Sequence, residues 1–387
     1  MNKIAVINST SDGSTGVIAR KIIDNYEGEG RLFCFFGKKY NNVTLIKLSR
    51  IKDIISHSIS RIDGKDGFHY HALTRKLIKE LEAYKPNIIH LHNLHGYWLN
   101  IPMLFDYINK NNIKVVWTFH DFYPLTGRCA VPQECELFLN GCNGKCPNKG
   151  NYPYAIIHNE KKLFKKKVGV ISSLKNIDII TPSSILADYT KKTYLNKYNI
   201  QVINNGIDLD KFFFEESDLK EKLGIPKNKI VLLDVMLPIS VHKGISYINK
   251  LANELDDRYQ VVLIGRNDDN IPLSKKILHI PFVKQEELHL YYSFADFFIN
   301  TTISDNYPTV DMEAIACNLP VLSFDTGGTK EIVTPDVGKV VKKKDYDKFK
   351  QEIELCIKNP PKKENFSIRR KDFDEKLMVN KYLELYK

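Results

Sequence analysis

The residues that most restrict what this chain can fold into lie in its second half. Phe297-Phe298-Ile299-Asn300 is an apolar run of strand length, Ser304 to Ala316 follows as a turn and a helix, and Val321-Leu322-Ser323-Phe324 is a second apolar run. Two short, continuously apolar strands joined through a helix fit a parallel sheet covered on both faces. Asn306 is the expected side-chain cap and Pro308 the expected first-turn residue, where a missing N–H costs nothing. Val310, Ala314 and Cys317 are expected to face inward, with the helix ending near Asn318. Free N–H groups and the positive dipole end at such a helix start suit a phosphate. Asp305 in the turn and Glu313 in the helix read either as contacts to two ends of one ligand or as ordinary solvated acids. Asp325-Thr326-Gly327-Gly328 follows the second strand, and adjacent glycines allow a backbone to approach a ligand closely.

With 387 residues, 43% of them hydrophobic, two cores of ordinary size are expected. No apolar run reaches the length of a membrane span, and the N-terminus enters a strand without a signal-peptide pattern, so the chain reads as soluble and cytoplasmic. Its charge is uneven. Residues 1–204 hold 29 Lys+Arg against 16 Asp+Glu, whereas residues 205–387 hold 28 against 30. A basic N-terminal half points to an anionic partner such as a membrane surface or a phosphorylated substrate, or to solvated lysine alone. A nucleic-acid partner is not expected, because no basic stretch is interleaved with aromatics and no binding module is present.

In chain order, strands are expected at 3–8, 31–36, 43–48, 88–92 and 115–119, with helices at 17–26 and 69–84. Ser9 to Gly16 reads as a loop of small residues able to cradle a phosphate or a sugar. Ligands in open α/β sheets sit beyond the carboxyl ends of the strands. His92, Asn93 and His95 follow one strand and His120-Asp121 another, so both clusters are candidates for contact. Asp121 could orient or charge-stabilise His120, although adjacent residues in extended chain point apart.

Periodicity stops between Asp121 and Tyr154, where Cys129, Cys135, Cys142 and Cys146 cluster. A structural zinc held by four thiolates, a pair of disulfides, and free buried thiols are the three readings. Asn159 to Lys167 is a lysine-rich helix suited to anionic lipid or to solvent. Asn204-Asn205-Gly206-Ile207-Asp208 marks a domain boundary. Beyond it strands are expected at 230–235, 260–264 and 278–282, with helices at 244–255 and 286–294. Lys243 would place a cation beside the first of those helix starts. A polar helical tail is expected over 365–387.

Together these motifs resemble family 4 of the retaining glycosyltransferases, in a subgroup of capsule, colanic-acid and O-antigen assembly. The resemblance rests on Asp305 to Glu313, the following Ala-Ile-Ala-Cys-Asn-Leu-Pro-Val, Asp325-Thr326-Gly327-Gly328, Asn205-Gly206-Ile207-Asp208, Lys243-Gly244 and His120 to Gly127 with its cysteines. It implies an α/β GT-B fold, with two facing Rossmann-like domains, a cleft between them and a C-terminal crossover helix. The domains would be 1–204, with a Cys-rich insertion at 121–153, and 205–364, with 365–387 packing back on the first.

The resemblance also implies roles. Glu313 would bond the ribose of a nucleotide-sugar donor, a UDP- or GDP-sugar being expected, and Asp305 the hydroxyls of its sugar. Asn306, Tyr307, Pro308, Thr309 and Val310 would line the sugar and diphosphate. Lys243 would neutralise the diphosphate, and Phe282 would flank the base. Gly13, Ser14, Thr15 and Gly16 would close on the donor from the N-terminal domain. His120 would sit near the transferred sugar, making His120, Lys243 and Asp305 the catalytic set. His92, Asn93 and His95 would meet a lipid-linked or oligosaccharide acceptor at the inner face of the plasma membrane. No cofactor would be needed for turnover, and any zinc would be structural. The chain carries Pro238 where the family usually has an arginine and His242 where the subgroup has another, leaving Arg266 as the substitute cation. A catalytically silent scaffold or glycan-binding subunit is the alternative, and a sugar-nucleotide epimerase lacks support from the Asp305–Glu313 segment.

Overall fold

The computed structural model describes residues 2–47 and 50–387, apart from the side chains of residues 50–55. By internal packing the chain divides into Met1–Asn204 with Val379–Lys387, and Asn205–Met378. In the first unit the strands are β1 (Lys3–Ile7), β2 (Glu29–Cys34), β3 (Val43–Leu45), β4 (Ile88–Leu91), β5 (Lys114–Thr118), β6 (Ile177–Thr181) and β7 (Asn199–Val202). They pair in the order β3-β2-β1-β4-β5-β6-β7, all parallel. The second unit uses β8 (Ile230–Val235), β9 (Tyr259–Ile264), β10 (Ile277–Ile280), β11 (Phe297–Asn300), β12 (Val321–Phe324) and β13 (Gly338–Val341). Their order is β10-β9-β8-β11-β12-β13, again all parallel. In both sheets the order reverses beside the first strand, the topology that opens a crevice at the carboxyl edge.

The central strands are apolar along their whole length because helices cover both faces. In β8 Val231, Leu232 and Leu233 are fully buried, Leu232 in one core and its two neighbours in the other. The strand expected at 31–36 begins and ends two residues earlier. The one expected at 43–48 stops at Leu45, and Leu48 lies outside the described residues. Helices Arg50–Asp63, Ile101–Lys110 and Tyr346–Lys358 were not expected from the sequence. The second starts by an Asn100 cap that accepts from Met103 N at 3.0 Å.

Two expectations change. Gly13–Gly16 is not loop but the first turn of the helix Gly13–Asp24. Gly16 is needed there, since a Cβ would fall 2.5 Å from the backbone of Ser11. The tail is not one polar helix. It runs as Lys363–Arg369, a tight turn Arg370–Phe373 and Glu375–Glu384, and it buries Phe366, Phe373, Tyr382 and Tyr386. Tyr382 and Tyr386 belong to the first unit, where their hydroxyls meet Thr118 and His90.

The segment 121–153 has no strand of its own, and Arg128 orders it. This guanidinium, 2% exposed, donates to the carbonyls of Lys149, Asn151 and Pro153 and pairs with the Glu160 carboxylate at 3.3 Å. Arg128→Met should therefore destabilise the first unit by roughly 3–5 kcal/mol, because it leaves a buried carboxylate and three carbonyls without their donor. Denaturant unfolding followed by tryptophan fluorescence reads this unit alone, since both tryptophans, Trp98 and Trp117, lie in it.

Candidate functional site

In the first unit the carboxyl ends of β1, β4 and β5 bring the expected histidines together. His92 Nδ1 and His120 Nε2 are 2.8 Å apart with their rings stacked, and His95 Nε2 meets Asp121 Oδ2 at 2.6 Å. Asp121 thus hydrogen-bonds His95, while its charge still acts on its neighbour His120. Asn8 joins this cluster to the first helix: its Oδ1 accepts from Asn93 N at 3.2 Å and its Nδ2 donates to Thr15 Oγ1 at 3.2 Å. His92 and His95 are buried, while Asn93, His120 and Asp121 stay partly exposed on a depression that all five line. Burial pushes the imidazole of His120 down to about 4 and that of His90 to about 3, so both are neutral at physiological pH. Burial also opposes charge on His95, but the Asp121 carboxylate outweighs it and raises its pKa.

Cys129, Cys135, Cys142 and Cys146 stay together in the fold. Among the described residues no three His, Cys, Asp or Glu side chains gather to hold an ion, and all four thiols are free. Burial raises the pKa of Cys129, Cys142 and Cys146. None of the four is in a disulfide, and Cys135, Cys142 and Cys146 all lie close enough to act electrostatically on Cys129.

In the second unit, loops after β8, β9, β11 and β12 meet at one sheet edge. Lys243 ends a short turn, Val241–Lys243, capped by Ser240. Gly244 follows at φ +87°, pressed against β11's exit: a Cβ there would lie 2.0 Å from Thr301 O. That close approach carries Lys243 to the loop after β11, where its Nζ meets Asp305 Oδ2 at 2.6 Å. The helix Thr309–Ala316 then begins with Pro308 at its N-cap and no side-chain cap, so Asn306 does not fill that role. Tyr307 and Pro308 are buried, and Thr309 and Val310 are partly exposed in the first turn. Val310 is only partly buried but packs against the core, while Asp311, Ala314 and Ile315 are buried. Gly327, at φ +54°, packs against the chain itself, a Cβ there lying 2.3 Å from Asp305 O. The glycine pair thus shapes the Asp305 loop before any ligand is considered. Phe282 is 70% exposed beyond β10. Arg266 is exposed after β9 and pairs with Asp268 at 3.3 Å, while its carbonyl accepts from Ile239 N beside Pro238.

Two acids here were missed in the sequence. Asp234 in β8 and Asp311 in the helix are buried, and both lie within the field of Lys243. Asp311 Oδ1 accepts from Asn300 Nδ2 at 2.8 Å. The available signal was a carboxylate interrupting an apolar run, Ile-Val-Leu-Leu-Asp-Val, and another sharing a helix face with Ala314 and Ile315. Burial raises Asp311 and Glu313 to about 7 each, and it holds Asp234 well above the usual carboxylate range. Glu313 Oε2 accepts from Tyr292 OH at 2.8 Å. Lys243 loses to burial and gains more from Asp305, which keeps it charged.

A carboxyl whose folded pKa is raised binds its proton more tightly in the native state. Stability is then lost as pH rises from the unfolded value, near 4, through about 7. Glu313→Gln should leave the second unit's calorimetric midpoint nearly unchanged at low pH. Above neutrality it should stabilise that unit by on the order of 3 kcal/mol. A parallel pH profile in wild type and variant would contradict this.

The comparisons agree with this architecture. Residues 47–211 match the model described as Glycosyltransferase Family 4, and residues 215–373 match Glycosyl transferases group 1. A protein of Escherichia coli named as a colanic acid biosynthesis glycosyl transferase, WcaC, is 24% identical over 322 residues, covering 78% of this chain and 76% of its own length. The N,N'-diacetylbacillosaminyl-diphospho-undecaprenol alpha-1,3-N-acetylgalactosaminyltransferase of Campylobacter jejuni is 26% identical over 218 residues, covering 52% of this chain and 57% of its own. The structure of Anabaena HepE in complex with UDP superposes with a TM-score of 0.71 at 15% identity, covering 99% of each chain. The two family models together span most of the sequence, and the two all-parallel sheets are Rossmann-like. The chain belongs to the family 4 glycosyltransferases and has the GT-B fold.

Proposed function

We propose that this glycosyltransferase moves a sugar, with retention of configuration, from a nucleotide-sugar donor to a lipid-linked or other growing surface polysaccharide. We place its work at the anionic inner face of the plasma membrane. The observation that carries the donor half is the 2.6 Å Lys243–Asp305 contact at the carboxyl edge of the second sheet, with the partly buried Glu313 in the helix that follows. HepE's complex with UDP supports a uridine nucleotide. The colanic-acid and undecaprenol-linked relatives support the acceptor class.

In this reading Glu313 accepts from the ribose hydroxyls, and the first-turn N–H groups near Thr309 and Val310 face the diphosphate. Lys243 meets the charge that grows on the leaving phosphate, the group for which a preorganised cation does most. As the acceptor oxygen bonds to the anomeric carbon, the carbon–phosphate-oxygen bond breaks and its electron pair stays on the diphosphate. The acceptor proton passes to the same phosphate. The anionic diphosphate competes with Asp305 for Lys243, which releases Asp305 toward the sugar hydroxyls. The neutral His120, supported by His92, is the corresponding sugar contact on the first unit, with Asn93 and His95 on the acceptor side.

Calorimetric titration with UDP, GDP, dTDP, ADP and CMP tests the donor site. One nucleotide should bind at micromolar strength, and Glu313→Ala should weaken it about tenfold or more, the loss of a charge-assisted hydrogen bond pair. Asp305→Asn should retain nucleotide binding and lose transfer. No binding by any nucleotide would favour the silent scaffold, with Pro238 in place of the family arginine as its cause.

A further inference from the structure

Among the large aliphatic residues that the first unit exposes, four come from two segments that the backbone brings together. Ile59 and Ile62, at the end of the helix Arg50–Asp63, are 44% and 48% exposed; Ile156 and Ile157 are 72% and 47% exposed, and Tyr154 50%. These come from segments almost a hundred residues apart that the backbone joins. Ile156 N donates to Arg61 O at 2.9 Å and Ile157 N to Ile62 O at 2.8 Å. Gly64 (φ +69°) lets the second segment lie flat, since a Cβ there would sit 2.9 Å from Ala155 Cβ. Arg61 stacks over the Tyr154 ring at 5.9 Å. The result is one apolar patch rather than four isolated side chains, a feature soluble surfaces seldom carry without use.

Charge borders it directly. The helix Glu160–Ile171 turns Leu163 and Lys167 inward and leaves Lys161, Lys162, Lys165 and Lys166 exposed, which is the i, i+1, i+4, i+5 pattern of one face. Ile157 and two of these lysines, Lys162 and Lys166, line the same cavity of about 110 Å³, together with Lys65, Asp63 and Glu160. Apolar patch and basic rim are therefore one continuous surface.

We propose that this surface seats the chain on an anionic phospholipid bilayer, the isoleucines entering the headgroup–acyl boundary and the lysines meeting the phosphates. Aliphatic side chains at the centre, a tyrosine at the edge and cations outside form the arrangement such an interface selects. An acidic protein would use the rim but has no reason to require exposed isoleucines. The proposal rests on the membrane half of the reading above and adds which residues make the contact.

Flotation of the full chain with phosphatidylglycerol–phosphatidylcholine vesicles, and with phosphatidylcholine alone, tests it. Wild type should float with the first and not the second. I156S/I157S should bind about tenfold more weakly, and K161E/K162E/K165E/K166E should not float. I368S, which removes an isoleucine 66% exposed on the second unit, should behave as wild type. Emission from the tryptophan introduced by Ile156→Trp should shift to the blue on adding the anionic vesicles. Denaturant unfolding of each variant, followed by tryptophan fluorescence without lipid, establishes that the first unit is folded, and nucleotide titration keeps the donor site apart from this question. If wild type floats but I156S/I157S floats equally and the I156W emission does not move, the surface is wrong while membrane binding stands. If wild type does not float, both fall, and nucleotide binding alone still supports the transferase. A wild-type dimer that I156S/I157S converts to monomer would assign the patch to a second copy and overturn the proposal.

Discussion

The contact between Gly244 and Thr301 is the constraint on which the second unit's site depends. Backbone meets backbone there so closely that no side chain fits, a Cβ on Gly244 coming within 2.0 Å of Thr301 O. The Thr301 hydroxyl also donates to Gly244 O at 3.0 Å. This fixes the turn after β8 against the exit of β11, two strands that already pair in the sheet. Lys243 and Asp305 inherit their separation from that junction, not from their own attraction. An ion pair at a partly exposed site contributes little by itself; held by the sheet, it becomes a defined position for charge.

The same dry sheet accounts for the protonation of the acids around it. Asp234 and Asp311 are buried, and both lie in the field of Lys243. One lysine cannot offset three nearby carboxylates in a medium of low polarity. The fold answers by letting the lysine pair with the exposed member, Asp305, and by raising the buried two toward their neutral forms. Net charge at the sheet edge stays close to balanced, and Lys243 remains the group that an anion would seek.

Much of the scaffold was legible in the sequence because buried parallel strands are written as uninterrupted apolar runs. β8, β9, β11 and β12 sit within a residue or two of where those runs predicted them. The helix Arg50–Asp63 was legible and was passed over: Ile51, Ile54, Ile55, Ile59 and Ile62 recur at the spacing of one helix face. Gly13–Gly16 looked like loop because small residues and glycines favour turns, yet Gly16 is small so that a helix can press on Ser11. The tail looked polar because its aromatics, Phe366, Phe373, Tyr382 and Tyr386, are spaced irregularly among charges.

Within the site, sequence found the residues that stand in recognisable spacing and missed those defined by contact. Asp305, Glu313 and Lys243 are punctuated by a turn, a proline and a glycine. Asp234 carries no such mark; only its place inside an apolar strand is unusual. Pairings were harder still. Nothing in the order of residues joins His95 to Asp121 or His92 to His120, because each pair spans two strands that become neighbours only when β4 meets β5. The alternation of side chains along a strand decides the rest. Asp121 and His120 are adjacent and so face apart, and each must take its partner from the neighbouring strand's exit. A polar cluster at a strand end is thus readable one strand at a time, whereas its chemistry belongs to the pair.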